Sequence, residues 1–329
     1  MKLWNRAALT YAAQGLPLKY ITKKIEDEFG LTNMYDAVRS YIYRQKQKGA
    51  LDPDQLTFLT SEEIPVEPKR VIIQNQEPER FDGKWDGTTS LRFAVMGDTQ
   101  FGSKYAQISH LHNFYDLCER EGISTVYHTG DITDGLKMRP GHEYELYEIS
   151  ADGQVDDVIK NYPRRKGITT HFITGNHDAS LYKHVGFDVG AAIAKDREDM
   201  IYLGRDCAVV DLTPDCTLEL RHPWDGSAYS ISYKLQKMIE AMEADSKPNI
   251  LAVGHYHKEL SMFYRNIHAL LTGCFQSQTP FMRGKGLAAI MGGYIITIRV
   301  DKNGHIQGFT PEFVPYHKPI KDDYLNFKR

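Results

Sequence analysis

The chain has 329 residues, 41% hydrophobic and 25% charged, with 40 Lys/Arg against 43 Asp/Glu for a formal net charge of −3. That length favours one large domain with a smaller companion. The composition is that of a soluble globular protein, and no apolar run is long enough to cross a bilayer as a helix. Four cysteines (Cys118, Cys207, Cys216, Cys274) form no C-x-x-C pair and the amino terminus shows no apolar leader, so reduced thiols and a cytoplasmic location are expected. Charge is uneven: residues 1–50 hold nine Lys/Arg and four Asp/Glu, a balance of +5, which leaves −8 for the remainder.

The first fifty residues read as three helices. Trp4 to Gln14 is rich in Ala and Leu; Leu18, Ile21, Ile25 and Phe29 recur at helical spacing up to Gly30, a stop signal. Thr32 and Asn33 are candidate caps for a third helix with the stripe Met34, Val38, Tyr41 and Ile42. This order is that of a helix-turn-helix, and Arg39, Tyr43 and Lys46 would share the opposite face of the third helix, where they could touch nucleic acid.

Residues 51–90, with Pro53, Pro65, Pro68 and Pro78, read as a linker that could hold one strand at Val71-Ile72-Ile73. From Leu91 onward short apolar runs alternate with amphipathic helices, as in an α/β domain. Strands are expected at Leu91 to Met96, Thr125 to Thr129, Thr169 to Thr174, Ala208 to Leu212, Ile250 to Val253 and Tyr294 to Val300. Ile108, Leu111, Phe114 and Leu117 give one helical stripe, and Leu235, Met238, Ile239 and Met242 another.

Four of these strands run into a polar cluster headed by glycine: Gly97-Asp98-Thr99-Gln100, Gly130-Asp131-Ile132-Thr133-Asp134, Gly175-Asn176-His177-Asp178 and Gly254-His255-Tyr256-His257. In α/β sheets the loops leaving the carboxyl ends of strands converge, and glycine lets the backbone turn tightly there. Carboxylate, amide oxygen and imidazole on such loops suit Mn²⁺, Fe²⁺ or Zn²⁺, and Asp131 is the candidate bridge between two ions. Alone, a Gly-Asp pair is an ordinary turn; the ordered set is not. His128, His171 and His184 have no partner pattern and read as structural or surface histidines.

The series Asp-x-Gln, Gly-Asp-x-x-Asp, Gly-Asn-His-Asp, an isolated His and Gly-His-x-His resembles the calcineurin-like metallophosphoesterase family over residues 91 to roughly 300. The resemblance implies a four-layer αββα sandwich, here with a small all-α unit at residues 1–50, a linker at 51–90, the sandwich at 91–310 and a tail at 311–329. It also implies that Asp98, Gln100, Asp131 and His257 hold one metal and that Asp131, Asn176, His222 and His255 hold a second. Gln100 stands where the family's first motif normally ends in histidine, and a glutamine oxygen is the weaker donor. His222 is chosen by its place in the order. His177 would be a non-ligand imidazole at the phosphate, with Asp178 orienting it.

The implied activity is phosphoester hydrolysis by a hydroxide held between two divalent ions, Mn²⁺ first and Fe²⁺ or Zn²⁺ as alternatives. The basic head makes DNA the expected partner, with a nuclease of this family as the leading expectation and no membrane involved. Two alternatives stand beside it: a phosphoesterase for a nucleotide or other small ester whose helical head serves assembly into an oligomer, and a metal-poor interaction scaffold.

Overall fold

The computed structural model describes residues 3–13, 16, 18–47, 78–243 and 246–328. Its contacts divide the chain into two compact units, Met1–Gln76 and Glu77–Arg329. In the first, helices α1 (Leu3–Ala13), α2 (Leu18–Phe29) and α3 (Tyr35–Gln47) close around Trp4, Ala8, Ile21, Ile25, Val38 and Ile42. Gly30 ends α2 at a φ of 61°, and the Leu31 N–H returns to the Glu26 carbonyl at 3.0 Å, which satisfies an end-of-helix acceptor. Arg39 is exposed on α3. The side chains of Tyr43 and Lys46, and the expected strand at Val71-Ile72-Ile73, lie outside the described residues.

The second unit runs β1 (Glu79–Asp82), β2 (Ser90–Met96), α4 (Ile108–Arg120), β3 (Thr125–His128), α5 (Ala151–Asn161), β4 (Thr169–Thr174), α6 (Asn176–Val185) and α7 (Val189–Asp196). It continues through β5 (Met200–Arg205), β6 (Cys207–Thr213), β7 (Cys216–Arg221), α8 (Tyr233–Glu240), β8 (Ile250–Val253), β9 (Glu259–Tyr264), β10 (Ile267–Thr272), α9 (Pro280–Gly284), β11 (Gly292–Val300) and β12 (Ile306–Pro315).

Among the described residues two six-stranded sheets form, ordered β12-β11-β2-β3-β4-β5 and β1-β6-β7-β8-β10-β9. Because side chains alternate along a strand, β2 sends Phe93 and Val95 to one face and Ala94 and Met96 to the other. Phe93 and Val95 join Val210, Leu220, Ala252 and Ile296 between the sheets. Ala94 and Met96 pack under helices with Leu111, Phe114, Val158 and Leu181. On the outer face of the other sheet, Leu251, Val253 and Leu271 meet Leu235 and Ile239 of α8. The result is the expected αββα order of layers, in which a central strand such as β8 is buried along its whole length and so continuously apolar in sequence.

The sandwich extends beyond its expected limits at both ends. β1 lies inside the expected linker yet pairs in parallel with β6, from Glu79 opposite Ala208 to Asp82 opposite Asp211. At the other end β12 runs to Pro315, and the residues after it are docked against α4. Ile320 donates to Gln107 Oε1 at 2.7 Å, and the fully buried Asp323 accepts from the Ser109 N–H at 2.7 Å and its hydroxyl at 2.5 Å. Asp323 thereby satisfies an orphan donor in the first turn of α4 and sets a negative charge at the positive end of that helix. We expect Asp323→Ala to lower unfolding free energy by about 1–3 kcal/mol. An unchanged urea midpoint would show that this segment contributes nothing to the fold.

Candidate metal centre

The order β2, β3, β4 is parallel throughout, as is β7 beside β8, so the carboxyl ends of five strands stand together. The loops leaving them carry every residue expected to hold metal. Five of the ligand candidates occupy the left-handed backbone region: Asp98 (φ 53°), Gln100 (53°), Asp131 (56°), His255 (77°) and His257 (52°). Such a conformation costs a non-glycine residue about 1–3 kcal/mol and persists only where surroundings enforce it. Its concentration here marks loops shaped for side-chain placement.

Two of the leading glycines are there for space. A Cβ on Gly175 would lie 2.3 Å from Asp131 Oδ1, and one on Gly130 would lie 2.7 Å from His222 Nδ1. Any larger residue would push the carboxylate and the imidazole apart.

The side chains converge on Asp131. Its Oδ1 accepts the His177 backbone N–H at 2.9 Å; its Oδ2 lies 3.2 Å from Gln100 Nε2 and 3.2 Å from His222 Nε2. His222 Nε2 is also 3.0 Å from Asn176 Oδ1, while its Nδ1 donates to the Thr129 carbonyl at 2.7 Å. Asp131, His222 and His255 offer ligand atoms that lie within 4.8 Å of one another. His255 gives Nε2 to the Asp225 carbonyl at 2.6 Å, which leaves Nδ1 for the centre. Asp98 accepts the His255 N–H at 3.0 Å and stands 3.3 Å from His257 Nε2. All seven expected ligands are thus in one connected cluster.

The donor set fits divalent metal. Gln100 Oε1 is buried without a hydrogen-bond partner, and a half-turn of the Gln100 amide presents its oxygen toward Asp131. As His222 stands, both its nitrogens face acceptors, so a proton occupies Nε2 between Asp131 and Asn176, where a cation would also be drawn.

His177 differs from the expectation in its partner. Its Nδ1 donates to the Asp134 carbonyl at 2.7 Å and lies 3.1 Å from Asp134 Oδ1. Asp178, expected to orient that ring, accepts instead from the N–H groups of Gly175 (2.9 Å), Ile132 (3.2 Å) and Thr133 (2.8 Å). As the third residue of α6 it reaches back to the residue that starts the helix, so it fastens the β3 and β4 loops together rather than the imidazole. Asp134 is within the Gly-Asp-x-x-Asp motif, but only the fold reveals which acid meets the ring. His128 is fully buried and structural: the Gly130 N–H donates to its Nδ1 at 3.1 Å, and its Nε2 meets Thr99 Oγ1 at 3.2 Å. Burial holds that ring neutral, its pKa pushed down to about 3.

Charge explains the remaining titration. Burial alone would raise the Asp131 carboxyl, but the His222 and His177 imidazoles hold it well below the usual carboxylate range. Burial opposes the charged form of His222 too, yet Asp131 lifts it to about 9. His255, buried beside a charged His222, is pushed down to about 4. Burial and the neighbouring Asp131 charge raise Asp178 to about 6. His177 is raised to about 8, because Asp131 and Asp134 outweigh its burial.

A buried cluster of carboxylate, amide and imidazole at the carboxyl edge of an αββα sandwich defines a metal-dependent phosphoesterase. The calcineurin-like phosphoesterase family matches residues 91–259, just over half of the chain, and the chain belongs to that family. It is 26% identical over 189 residues to the DNA polymerase II small subunit of Methanothermobacter thermautotrophicus, covering 47% of this chain and 39% of that protein. Against the DNA polymerase II small subunit of Methanocaldococcus jannaschii it is 22% identical over 263 residues, covering 67% of this chain and 43% of the relative. The chain therefore spans less than half the length of these two relatives. A solved structure described as a novel archaeal phosphodiesterase is covered in full by 68% of this chain, with 12% identity and a TM-score of 0.38.

Metal loading has a proton cost that can be measured. Against its burial, His222 is raised to about 9 by Asp131, so near neutrality the metal-stripped chain carries that proton. Divalent metal must expel it, and the apparent affinity should climb with pH until about 9. We expect calorimetric titration of stripped protein with Mn²⁺ at pH 7 to give heats that vary with buffer ionisation enthalpy, equivalent to about one proton released from His222. Heats independent of buffer would contradict this charge distribution.

Proposed function

We propose that this chain is a two-metal phosphodiesterase acting on DNA, with Asp131 as the carboxylate shared by both ions. The observation that carries the reading is that Asp131 Oδ2 lies 3.2 Å from both Gln100, of one expected ligand set, and His222, of the other, with Asn176 beside His222. Asp98, Gln100, Asp131 and His257 would hold one ion, and Asp131, Asn176, His222 and His255 the other. Manganese is the first choice, with iron or zinc as alternatives for the same mixed oxygen and nitrogen donors. Bound there, the two ions would supply Lewis acidity to the phosphoryl oxygens and make water acidic enough to act as a nucleophile.

The chain's own groups do the rest. His177, with Nδ1 committed to the Asp134 carbonyl, has Nε2 free to carry a proton for the departing oxygen. The glycine-led loops exclude bulk water from Asp98 and Asp131, both essentially buried. For DNA as substrate, support comes from the +5 balance of residues 1–50, from exposed Arg39 on α3, and from the two archaeal relatives named as DNA polymerase subunits.

The test is activity of Mn²⁺-loaded protein on labelled single- and double-stranded DNA beside bis-p-nitrophenyl phosphate. Cleavage of both supports the reading; brisk small-ester turnover without DNA cleavage under any divalent metal would replace DNA with a small phosphoester, and turnover of neither would overturn it. Removing residues 1–50 should weaken DNA affinity by roughly tenfold, the scale of a few lost phosphate contacts, while small-diester hydrolysis persists. Undiminished DNA affinity would remove the helical head from substrate binding.

Two substitutions separate holding metal from moving protons. His177→Ala should keep its metal and lose about 10²- to 10⁴-fold in turnover, the usual range for general acid catalysis. Asp131→Asn should lose metal itself, read by elemental analysis. Equal metal loss in both would contradict the assigned roles.

A further inference from the structure

Next to the centre lies a second buried cluster, Asp134, His142 and His177. Asp134 is 1% exposed and His142 is wholly buried, yet neither Asp134 carboxylate oxygen nor His142 Nε2 has a hydrogen-bond partner of good geometry. Both imidazoles address the same oxygen: His142 Nε2 is 3.5 Å, and His177 Nδ1 3.1 Å, from Asp134 Oδ1. The His142 ring is oriented from behind, since the Met138 N–H points at its Nδ1 at 3.4 Å, which makes Nε2 the protonated nitrogen facing the acid.

His142 sits on a short turn, His142–Glu145, pinned at several points. Lys104 donates to the Glu145 carbonyl at 2.9 Å, Tyr147 to the Gly102 carbonyl at 2.8 Å, and Phe281 to the Glu145 side chain at 3.1 Å. The first two contacts tie this segment to the loop that carries Gln100, and the third ties it to α9. The ring is held by the fold.

The consequence is a competition at His177. Its single Nδ1–H bonds the Asp134 carbonyl at 2.7 Å, while Asp134 Oδ1, 3.1 Å away, attracts the same N–H without a hydrogen bond of good geometry. A second N–H at Oδ1 weakens the pull of that oxygen on His177. We propose that His142 is a positioning residue for phosphoester hydrolysis: by sharing Asp134 Oδ1 it keeps the His177 ring on the Asp134 carbonyl and so aims Nε2 at the leaving oxygen. This rests on the phosphoesterase reading of the adjoining centre. In the step concerned, water adds to phosphorus and gives up a proton to solvent, the bond from phosphorus to the leaving oxygen breaks, and that oxygen keeps the electron pair and takes the Nε2 proton. Solvent then reprotonates Nε2.

The same three side chains could instead hold a cation, but both rings turn N–H groups, not lone pairs, toward the carboxylate. Three measurements on full-length His142→Leu and His142→Gln decide the matter. The first is turnover of two diesters, one losing p-nitrophenol and one losing the more basic phenol, because only the poor leaving group depends strongly on a delivered proton. His142→Leu should lose at least about tenfold more rate on the phenyl ester than on the nitrophenyl ester, and His142→Gln, which retains an N–H, should recover most of it. The second is the slowly exchanging His177 Nδ1–H in nitrogen-15 imidazole spectra, expected in the native chain and His142→Gln and lost in His142→Leu. The third is metal content, expected to be equal in all three proteins.

Equal rate losses on both esters with the His177 Nδ1–H intact would make His142 merely structural and overturn the proposal. Loss of one bound ion on substituting His142 would overturn it in favour of a further metal site. A native chain that cleaves neither ester would refute the phosphoesterase reading, whereas the imidazole spectra would still judge the His142, Asp134 and His177 arrangement on its own.

Discussion

Everything at the active edge depends on keeping the carboxylate of Asp131 buried and charged. An ionised carboxylate without partners costs several kcal/mol to bury, so its surroundings must supply donors or cations. Here the His177 backbone N–H, the Gln100 amide and the His222 imidazole all reach it, from the loops after β4, β2 and β7. The three loops belong to strands from both sheets of the sandwich. One side chain therefore fastens the two halves of the site, and the sheets need to meet in a fixed register for it to do so.

That requirement explains the strain in the loops. Asp98, Gln100, Asp131, His255 and His257 account for five of the twelve positive-φ non-glycine residues among those described. Their unfavourable backbones are sustained by the apolar layers beneath, where residues such as Phe93, Val95, Leu220 and Ile296 are buried between the sheets. Each such large side chain contributes about 1.5–3 kcal/mol on burial, enough to offset the strain of one such loop residue. A rigid core and a strained rim are the same arrangement seen from two ends. The strained rim in turn sets the acid and base assignments: Asp131 raises His222 and His177, while the charge on His222 helps hold His255 low.

Much of this was legible in the sequence because the informative residues are local. Gly130-Asp131 and Gly175-Asn176-His177 announce their loops through glycines whose hydrogen atoms are the only substituents that fit, and β4 and β8 fall where their apolar runs are. What escaped depends on distance along the chain. β1 becomes a strand only by pairing with β6, well over a hundred residues later, and β12 contains Gly308 and Pro311, which an edge strand tolerates and sequence patterns penalise. The partner of His177 was read as the adjacent Asp178, whereas β3 delivers Asp134 to the ring and Asp178 turns back to the backbone. His142 belongs to no motif, and only the turn that buries it reveals its neighbours.

The central claim is that two cations share Asp131. Electron paramagnetic resonance of the chain loaded with two equivalents of Mn²⁺ tests it directly, because ions about 3.5–4 Å apart and bridged by a carboxylate couple their spins. A spin-coupled dimanganese spectrum that disappears in Asp131→Asn is the expected result. Two uncoupled six-line signals, or a single bound ion, would contradict the shared carboxylate.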